Sequence, residues 1–97
     1  MEQTRSRISP VSLIYHDAEK YLFEIELPGV EKEEIELEAV KNGFCLKAGK
    51  EEIKYASCYS LAHEIDFERI RAKFEDERLI IELPFLYPIN PKRIEIE

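Results

Sequence analysis

Cysteine, glycine and side-chain amides are scarce in this 97-residue chain, which holds two Cys, three Gly and three Asn plus Gln. Two cysteines are too few for the disulfide framework of a small secreted domain. Cys45 and Cys58 also lack Cys-x-x-Cys spacing, which excludes thioredoxin-like chemistry. The three glycines, Gly29, Gly43 and Gly49, form no phosphate-cradling loop. No stretch approaches the roughly 20 apolar residues of a membrane span, and the first residues, "MEQTRSRISPVS", have no apolar core of a secretory signal. The expected compartment is therefore the cytoplasm, with no membrane partner. Basic residues are scattered, with no stripe, against a formal net charge of −7, so phosphate backbones are repelled and no nucleic-acid partner is expected.

Catalytic constellations are equally thin. His16 and His63 lie far apart, neither with a Cys or His at metal-ligand spacing. His63 falls on the apolar side of its run, the place of a core or rim histidine. The serines have no nucleophile-elbow context. Glu supplies 18 of the 21 acids and alternates along apolar runs, the pattern of a solvated face rather than of a carboxylate pair split in pKa by a pocket. The chain reads as a non-enzyme, with no metal, no cofactor and no small-molecule substrate.

What is present is alternation. "VSLIY" sets Val11, Leu13 and Tyr15 on one face, and "YLFEIEL" sets Tyr21, Phe23, Ile25 and Leu27 inward with Glu24 and Glu26 outward. The same period returns in Ile35, Leu37 and Ala39; in Phe44, Leu46 and Ala48; in Tyr59, Leu61, His63 and Ile65; in Ile70, Ala72 and Phe74; and in Leu79, Ile81 and Leu83. Seven short period-two runs, each with one apolar face to bury, predict an all-β, immunoglobulin-like antiparallel sandwich of about seven strands. A chain of this length buries about 60–65% of its unfolded surface, enough for one such domain.

Turn residues separate the runs. Asn42-Gly43 predicts a type I′ hairpin, and Pro28-Gly29 breaks the chain after the second run. "VEKEE" predicts one helical turn, and Asp66 before "FERI" predicts another with Asp66 as its cap. Pro84, Pro88 and Pro91 keep residues 84–91 out of any sheet interior. The expected organisation is a short polar arm over 1–10, the sandwich over 11–84, and an extended tail over 85–97. A tight turn centred on Glu51-Glu52 makes Cys45 and Cys58 cross-strand neighbours. A disulfide there is strained, so two unpaired thiols are expected.

The tail ends in "KRIEIE". As a strand it places Ile94 and Ile96 on one face, two apolar teeth at an otherwise acidic end. Three fates are open for them: docking on a neighbour, folding back on their own domain, or no role.

"YLFEIELPGVEKEEIELE" resembles the opening of an α-crystallin domain, the core of the small heat-shock proteins, through Tyr21, Phe23, Ile25, Leu27, Pro28, Gly29, Val30 and Ile35. "IDFERIRAKFEDERLIIELP" resembles its closing hairpin through Ala72, Leu79, Ile81, Leu83 and Pro84. The resemblance spans about residues 11–84. It implies ATP-independent holding of unfolding client proteins and homo-oligomers built by a tail Ile-x-Ile, here Ile94 and Ile96. That tripeptide would seat in an apolar groove of a neighbouring subunit, assigned to Ile35, Leu37, Ala39, Val40, Ile70, Ala72 and Phe74.

Three features depart from the family pattern. Asp76-Glu77-Arg78 replaces an Asn-Gly-Val turn, so a looser or different turn is expected. Only about eight residues follow Phe44–Ala48 before the next strand, too few for a strand-swapping excursion, which leaves the strand around Ile53–Leu61 as a dimerisation edge. The arm over 1–10 is short and has little apolar content. A compact middle also brings the chain near the CS domains of co-chaperones, and the alternative function is an adaptor that recruits a larger chaperone ATPase.

Overall fold

The computed structural model describes residues 9–49, 51, 54–88, 90 and 92–97. Most of the N-terminal arm, together with Glu52, Ile53 and Pro91, lies outside the described residues. Among the described residues seven strands form: β1 Ser12–His16, β2 Lys20–Glu26, β3 Ile35–Val40, β4 Gly43–Ala48, β5 Tyr55–Ser60, β6 Arg71–Glu75 and β7 Arg78–Pro84. They make two antiparallel sheets, one ordered β1-β2-β7-β6 and the other β3-β4-β5. The expected all-β sandwich is the observed one.

The core follows the alternation. β2 buries Tyr21, Phe23 and Ile25; β4 buries Phe44, Leu46 and Ala48; and β7 buries Leu79, Ile81 and Leu83. Central strands are covered on one face by the opposing sheet, so their inward phase is fully dry. Phe23 stands at the junction of the two sheets, its ring edge-on to Phe44 at 4.9 Å and to Tyr59 at 5.2 Å. Phe44 and Tyr59, register partners in β4 and β5, stack at 4.8 Å. Phe85, just past β7, is also buried. Its N–H donates to the Glu19 carbonyl, and it bridges to Ile65. The His63 ring packs against Phe85 at 4.8 Å and Tyr21 at 6.2 Å, at the rim of this core.

β1 departs from the expected phase. Val11, Leu13 and Tyr15 are exposed, as is Ile14 on the opposite side of the strand. Leu13 pairs with Glu24 and Tyr15 with Leu22, which puts them on the outer face of the four-stranded sheet. Ile14 shares the inner face with its partner Phe23 but remains half-exposed, since a three-stranded sheet covers a four-stranded one incompletely.

The turns explain the remaining differences. Leu27-Pro28-Gly29-Val30 is a tight turn with Gly29 at φ 80°, the value the third residue of a type II turn needs, while Leu27 and Val30 plug the core on either side. The two predicted single turns form as 3₁₀ segments, Lys32–Glu34 and Phe67–Arg69, the latter capped by Asp66, whose Oδ1 accepts from the Glu68 N–H at 3.2 Å. Between β1 and β2, Asp17 Oδ1 accepts from the N–H groups of Glu19 at 2.7 Å and Lys20 at 3.0 Å. Those two bonds hold the Asp17 carboxyl below its ordinary pKa.

The β3–β4 hairpin closes one residue earlier than the Asn-Gly signal predicts. Val40 pairs with Gly43, so Lys41 and Asn42 form the turn, and neither has positive φ. Gly43 is required for a different reason: a Cβ there would sit 2.5 Å from the Tyr59 carbonyl oxygen. The run Tyr59–Ile65 does not continue as a strand. β5 pairs with β4 only as far as Ser60 opposite Gly43, where β4 ends, and Leu61 and Ile65 then donate to the carbonyls of Asn42 and Lys41.

The β6–β7 turn is tight rather than loose. Glu75 pairs directly with Arg78, and Asp76 and Glu77 occupy the left-handed region at φ 52° and 60°, as a type I′ turn demands. Glu77 is also bound into the fold: its carbonyl accepts from Leu27 N–H at 2.8 Å and its Oε2 from Gly29 N–H at 3.1 Å. Asp76 carries a left-handed cost smaller than the about 1–2 kcal/mol of most residues, without such bonds among the described residues. Asp76→Gly is therefore expected to stabilise the domain by about 0.5–1 kcal/mol, a rise of about 2–6 °C in Tm by calorimetry. A lower Tm would show that the turn is not strained.

The cysteines correct the sequence reading. Cys45 and Cys58 are joined in a disulfide rather than unpaired. They are direct register partners in β4 and β5 with Cα atoms 4.0 Å apart. Such closeness marks the narrow pair of an antiparallel ladder, where facing side chains approach most nearly.

Candidate functional site

β3 and β6 are edge strands of different sheets, and they run along the same side of the sandwich. Alternation turns Ile35, Leu37 and Ala39 of β3, and Ala72 and Phe74 of β6, toward the gap between them. The result is an apolar groove with two adjoining hollows. The first, about 210 Å³, is lined by Ile35, Leu37, Ala72, Phe74 and Leu79, with Lys32 and Lys73 at its rim. The second, about 120 Å³, is lined by Leu37, Ala39, Phe44, Ile70, Ile81 and Leu83, with Glu38 beside it. Leu37 is common to both and forms the divide.

Of the seven groove residues expected from sequence, Ile35, Leu37, Ala39, Ile70, Ala72 and Phe74 come together here. Val40 does not. It follows Ala39 on the opposite phase of β3 and is exposed. The floor residues Phe44, Leu79, Ile81 and Leu83 were readable as core but not as groove, because their place under the gap depends on how the sheets stack. Lys32, Lys73 and Glu38 at the rim carried no signal in one dimension. Leu27, Pro28, Gly29 and Val30 form the turn that leads into the Lys32–Glu34 segment and so sets where β3 begins. Tyr55 Oη donates to the Pro28 carbonyl at 3.0 Å, tying that turn to β5.

Ile94 and Ile96 are 81% and 95% exposed, so neither tooth rests in the groove of its own domain. A larger hollow of about 350 Å³ is lined by charges of both signs, including Lys20, Arg69, Arg71 and Glu82, with Lys20 Nζ and Glu82 Oε1 paired at 3.2 Å. It offers little to an apolar ligand. Among the described residues no three His, Cys, Asp or Glu side chains gather as a metal site. No helix among them is long and apolar enough to cross a membrane.

A family model described as the PIH1 CS-like domain matches residues 12–86, from the start of β1 to just past Phe85. The chain belongs to the PIH1 CS-like domain family. No curated protein matches it by sequence. Among solved structures, this PIH1 CS-like domain superposes on heat shock protein 16.0 from Schizosaccharomyces pombe with a TM-score of 0.76 at 20% identity, covering 94% of this chain and 100% of that one. A small heat-shock protein from Xylella fastidiosa gives 0.72 at 18% identity, covering 95% and 99%. A nuclear movement protein from E. cuniculi gives 0.63 at 10% identity, covering 88% and 98%. The fold is the α-crystallin-type sandwich of the small heat-shock proteins, as the Leu-Pro-Gly-Val turn and closing hairpin led us to expect. CS-like and small heat-shock domains share this sandwich, so membership of the PIH1 CS-like family fixes the domain and not its client or partner.

Proposed function

We propose that the chain is a small heat-shock-type chaperone that holds unfolding proteins without ATP, and that it assembles into homo-oligomers by seating Ile94 and Ile96 of one copy in the β3/β6 groove of another. The carrying observation is a match of spacing. From β3 one hollow takes Ile35 and Leu37 and the other takes Leu37 and Ala39, a shift of two residues along the strand, and two residues is also the step between the same-face side chains of Ile94 and Ile96. Holding requires only exposed apolar surface, so the protein works without a catalytic residue, cofactor or small-molecule substrate. Its net charge of −7 keeps loaded complexes soluble. We place it in the cytoplasm, where such clients arise.

Energetics favour assembly over a single contact. Burying two isoleucines contributes about 1.5–3 kcal/mol each, and ordering the tail offsets much of it. One docked tail is therefore weak, and several per assembly are needed to hold it. Size-exclusion chromatography with light scattering is expected to show an oligomer whose mass falls on Ile94→Ala with Ile96→Ala. An unchanged mass overturns the tail docking. Separately, the native chain in stoichiometric excess is expected to suppress light scattering from a thermally aggregating client, and no suppression overturns the holding activity.

A further inference from the structure

β3 and β6 border the groove, which leaves β1 and β5 as the sheet edges on the far side of the sandwich. There Ser12 Oγ and Tyr59 Oη lie 2.8 Å apart. Four of the five residues 11–15 are large, apolar and exposed, namely Val11 just before β1 and Leu13, Ile14 and Tyr15 within it, and Ser12–His16 holds no Lys, Arg, Asp, Glu or Pro. Edge strands that stay unpaired in solution are usually guarded by charge, proline or a bulge. β1 has no such charge or proline.

Two hydrogen bonds fix its phase. Glu26 N–H donates to the Val11 carbonyl at 3.0 Å, and Asp17 N–H to the Lys20 carbonyl at 3.1 Å. The backbone groups of Val11, Leu13 and Tyr15 therefore face β2, and those of Ser12, Ile14 and His16 face the open edge, since the two sets alternate in an antiparallel ladder. The open set is symmetric about Ile14. We propose that β1 pairs with β1 of a second copy, antiparallel, with the two-fold axis at Ile14, joining two four-stranded sheets into one of eight strands.

In that register Ile14 faces Ile14 and the two exchange N–H···O bonds across the axis, while Ser12 faces His16 at each end. Leu13 meets Tyr15 of the partner copy in the closer, non-hydrogen-bonded position, where cross-strand side chains touch most. No like charges are opposed. The other edges fail this test or have less to gain. β6 presents only the backbone groups of Ala72 and Phe74 to its open edge, so pairing symmetric about its centre sets Lys73 against Lys73, and β3 centred on Leu37 opposes Glu36 of each copy to Glu38 of the other. β5 is uncharged, but it has no exposed large apolar side chain to bury. The interface is isologous and so closes on itself, whereas tail docking links one copy to the next.

The test isolates this contact from the tail by using the full chain with Ile94→Ala and Ile96→Ala throughout. In a concentration series by light scattering, that chain is expected to reach twice its 11.5 kDa mass. Adding Ile14→Lys or Ile14→Glu should each give monomers, because two like charges then face each other on the axis. An equal mixture of the two should regain the doubled mass as a heterodimer. Ile14 is half-exposed, and unchanged far-UV circular dichroism verifies that each variant is folded. A tail-substituted chain that stays monomeric, a dimer that survives Ile14→Lys, or a mixture that stays monomeric each overturns the proposal. None of these outcomes bears on whether the tail docks, which the fall in mass from the native to the tail-substituted chain tests.

Discussion

Phe23→Ala is expected to cost about 3–5 kcal/mol, the range for removing a fully buried aromatic ring. Phe23 is completely buried, and its ring is edge-on to Phe44 at 4.9 Å and Tyr59 at 5.2 Å. These are contacts between sheets, from β2 across to β4 and β5, so their loss loosens the stacking rather than one ladder. Edge-on ring pairs add about 0.5–1.5 kcal/mol beyond the area they bury, and two are lost together. Against a total stability of about 5–15 kcal/mol for a small domain, the variant keeps little margin. With a urea slope near 2 kcal/mol/M, the unfolding midpoint should fall by about 2 M. Phe23→Leu retains most of the volume and should cost less than about 1.5 kcal/mol. Equal effects from the two variants would mean that ring geometry is immaterial, and a loss below 1.5 kcal/mol for Phe23→Ala would mean that the sheets are not joined here. The groove floor, which includes Phe44, should weaken with the stacking, so on the proposed function client protection by Phe23→Ala should decline before the domain unfolds globally.

Period-two alternation carried most of the fold because the central strands β2, β4 and β7 are covered on one face only. There the sequence pattern and the burial pattern are the same thing. It failed where coverage ends. On β1 both faces are apolar, with Leu13, Ile14 and Tyr15 consecutive, so alternation names two faces without choosing between them. The choice is made by a three-stranded sheet lying across a four-stranded one. The run Tyr59–Ile65 alternates well but leaves the sheet at Ser60, because its partner β4 has already ended.

Local signals were right about place and wrong about cause. Gly43 does mark a hairpin, yet its hydrogen side chain serves the close approach of the Tyr59 carbonyl and not a positive φ. Asp76 suits the first place of a type I′ turn, but Glu77 lacks the residue type for the second and adopts it regardless, since the surrounding ladder and the two bonds it accepts from the 27–30 turn determine the geometry. The groove was legible at Ile35, Leu37, Ala39, Ala72 and Phe74 because each lies in phase on an edge strand, and at Ile70 because it keeps that phase just before β6. Its floor and its charged rim were not, since both arise from how two distant edges come together. Ile94 and Ile96 could be found by spacing alone, whereas the two hollows that share Leu37 could not.

The Cys45–Cys58 disulfide supports the second large effect. It closes a loop of 13 residues' separation, for which the chain-entropy model gives about 3 kcal/mol, within an observed range of about 0–5. That loop contains the β4–β5 connection, so the bond fixes an edge strand with only one neighbour. Cys58 is exposed, which opens the bond to attack by a thiolate. Reduction with a dithiol, which is itself oxidised as the two protein thiols form, is expected to lower the urea midpoint by about 1–1.5 M at a slope near 2 kcal/mol/M. Cys45→Ser with Cys58→Ser should match the reduced native chain and should be insensitive to the reductant. Thiol counting before and after reduction should rise from zero to two. A midpoint unmoved by reductant would mean that the β4–β5 ladder alone fixes the strand. Two titratable thiols in the untreated protein would mean that the cysteines are unpaired, as expected from sequence. The consequence for function is directional. β5 holds Tyr59 against Phe44 and Phe23, and Tyr55 against the Pro28 carbonyl. Loosening it therefore reaches both the core junction and the turn that leads into β3, and with it the wall of the groove. On the proposed assembly, reduction should accordingly weaken tail docking more than β1 pairing, because the backbone ladder of β1 belongs to the other sheet.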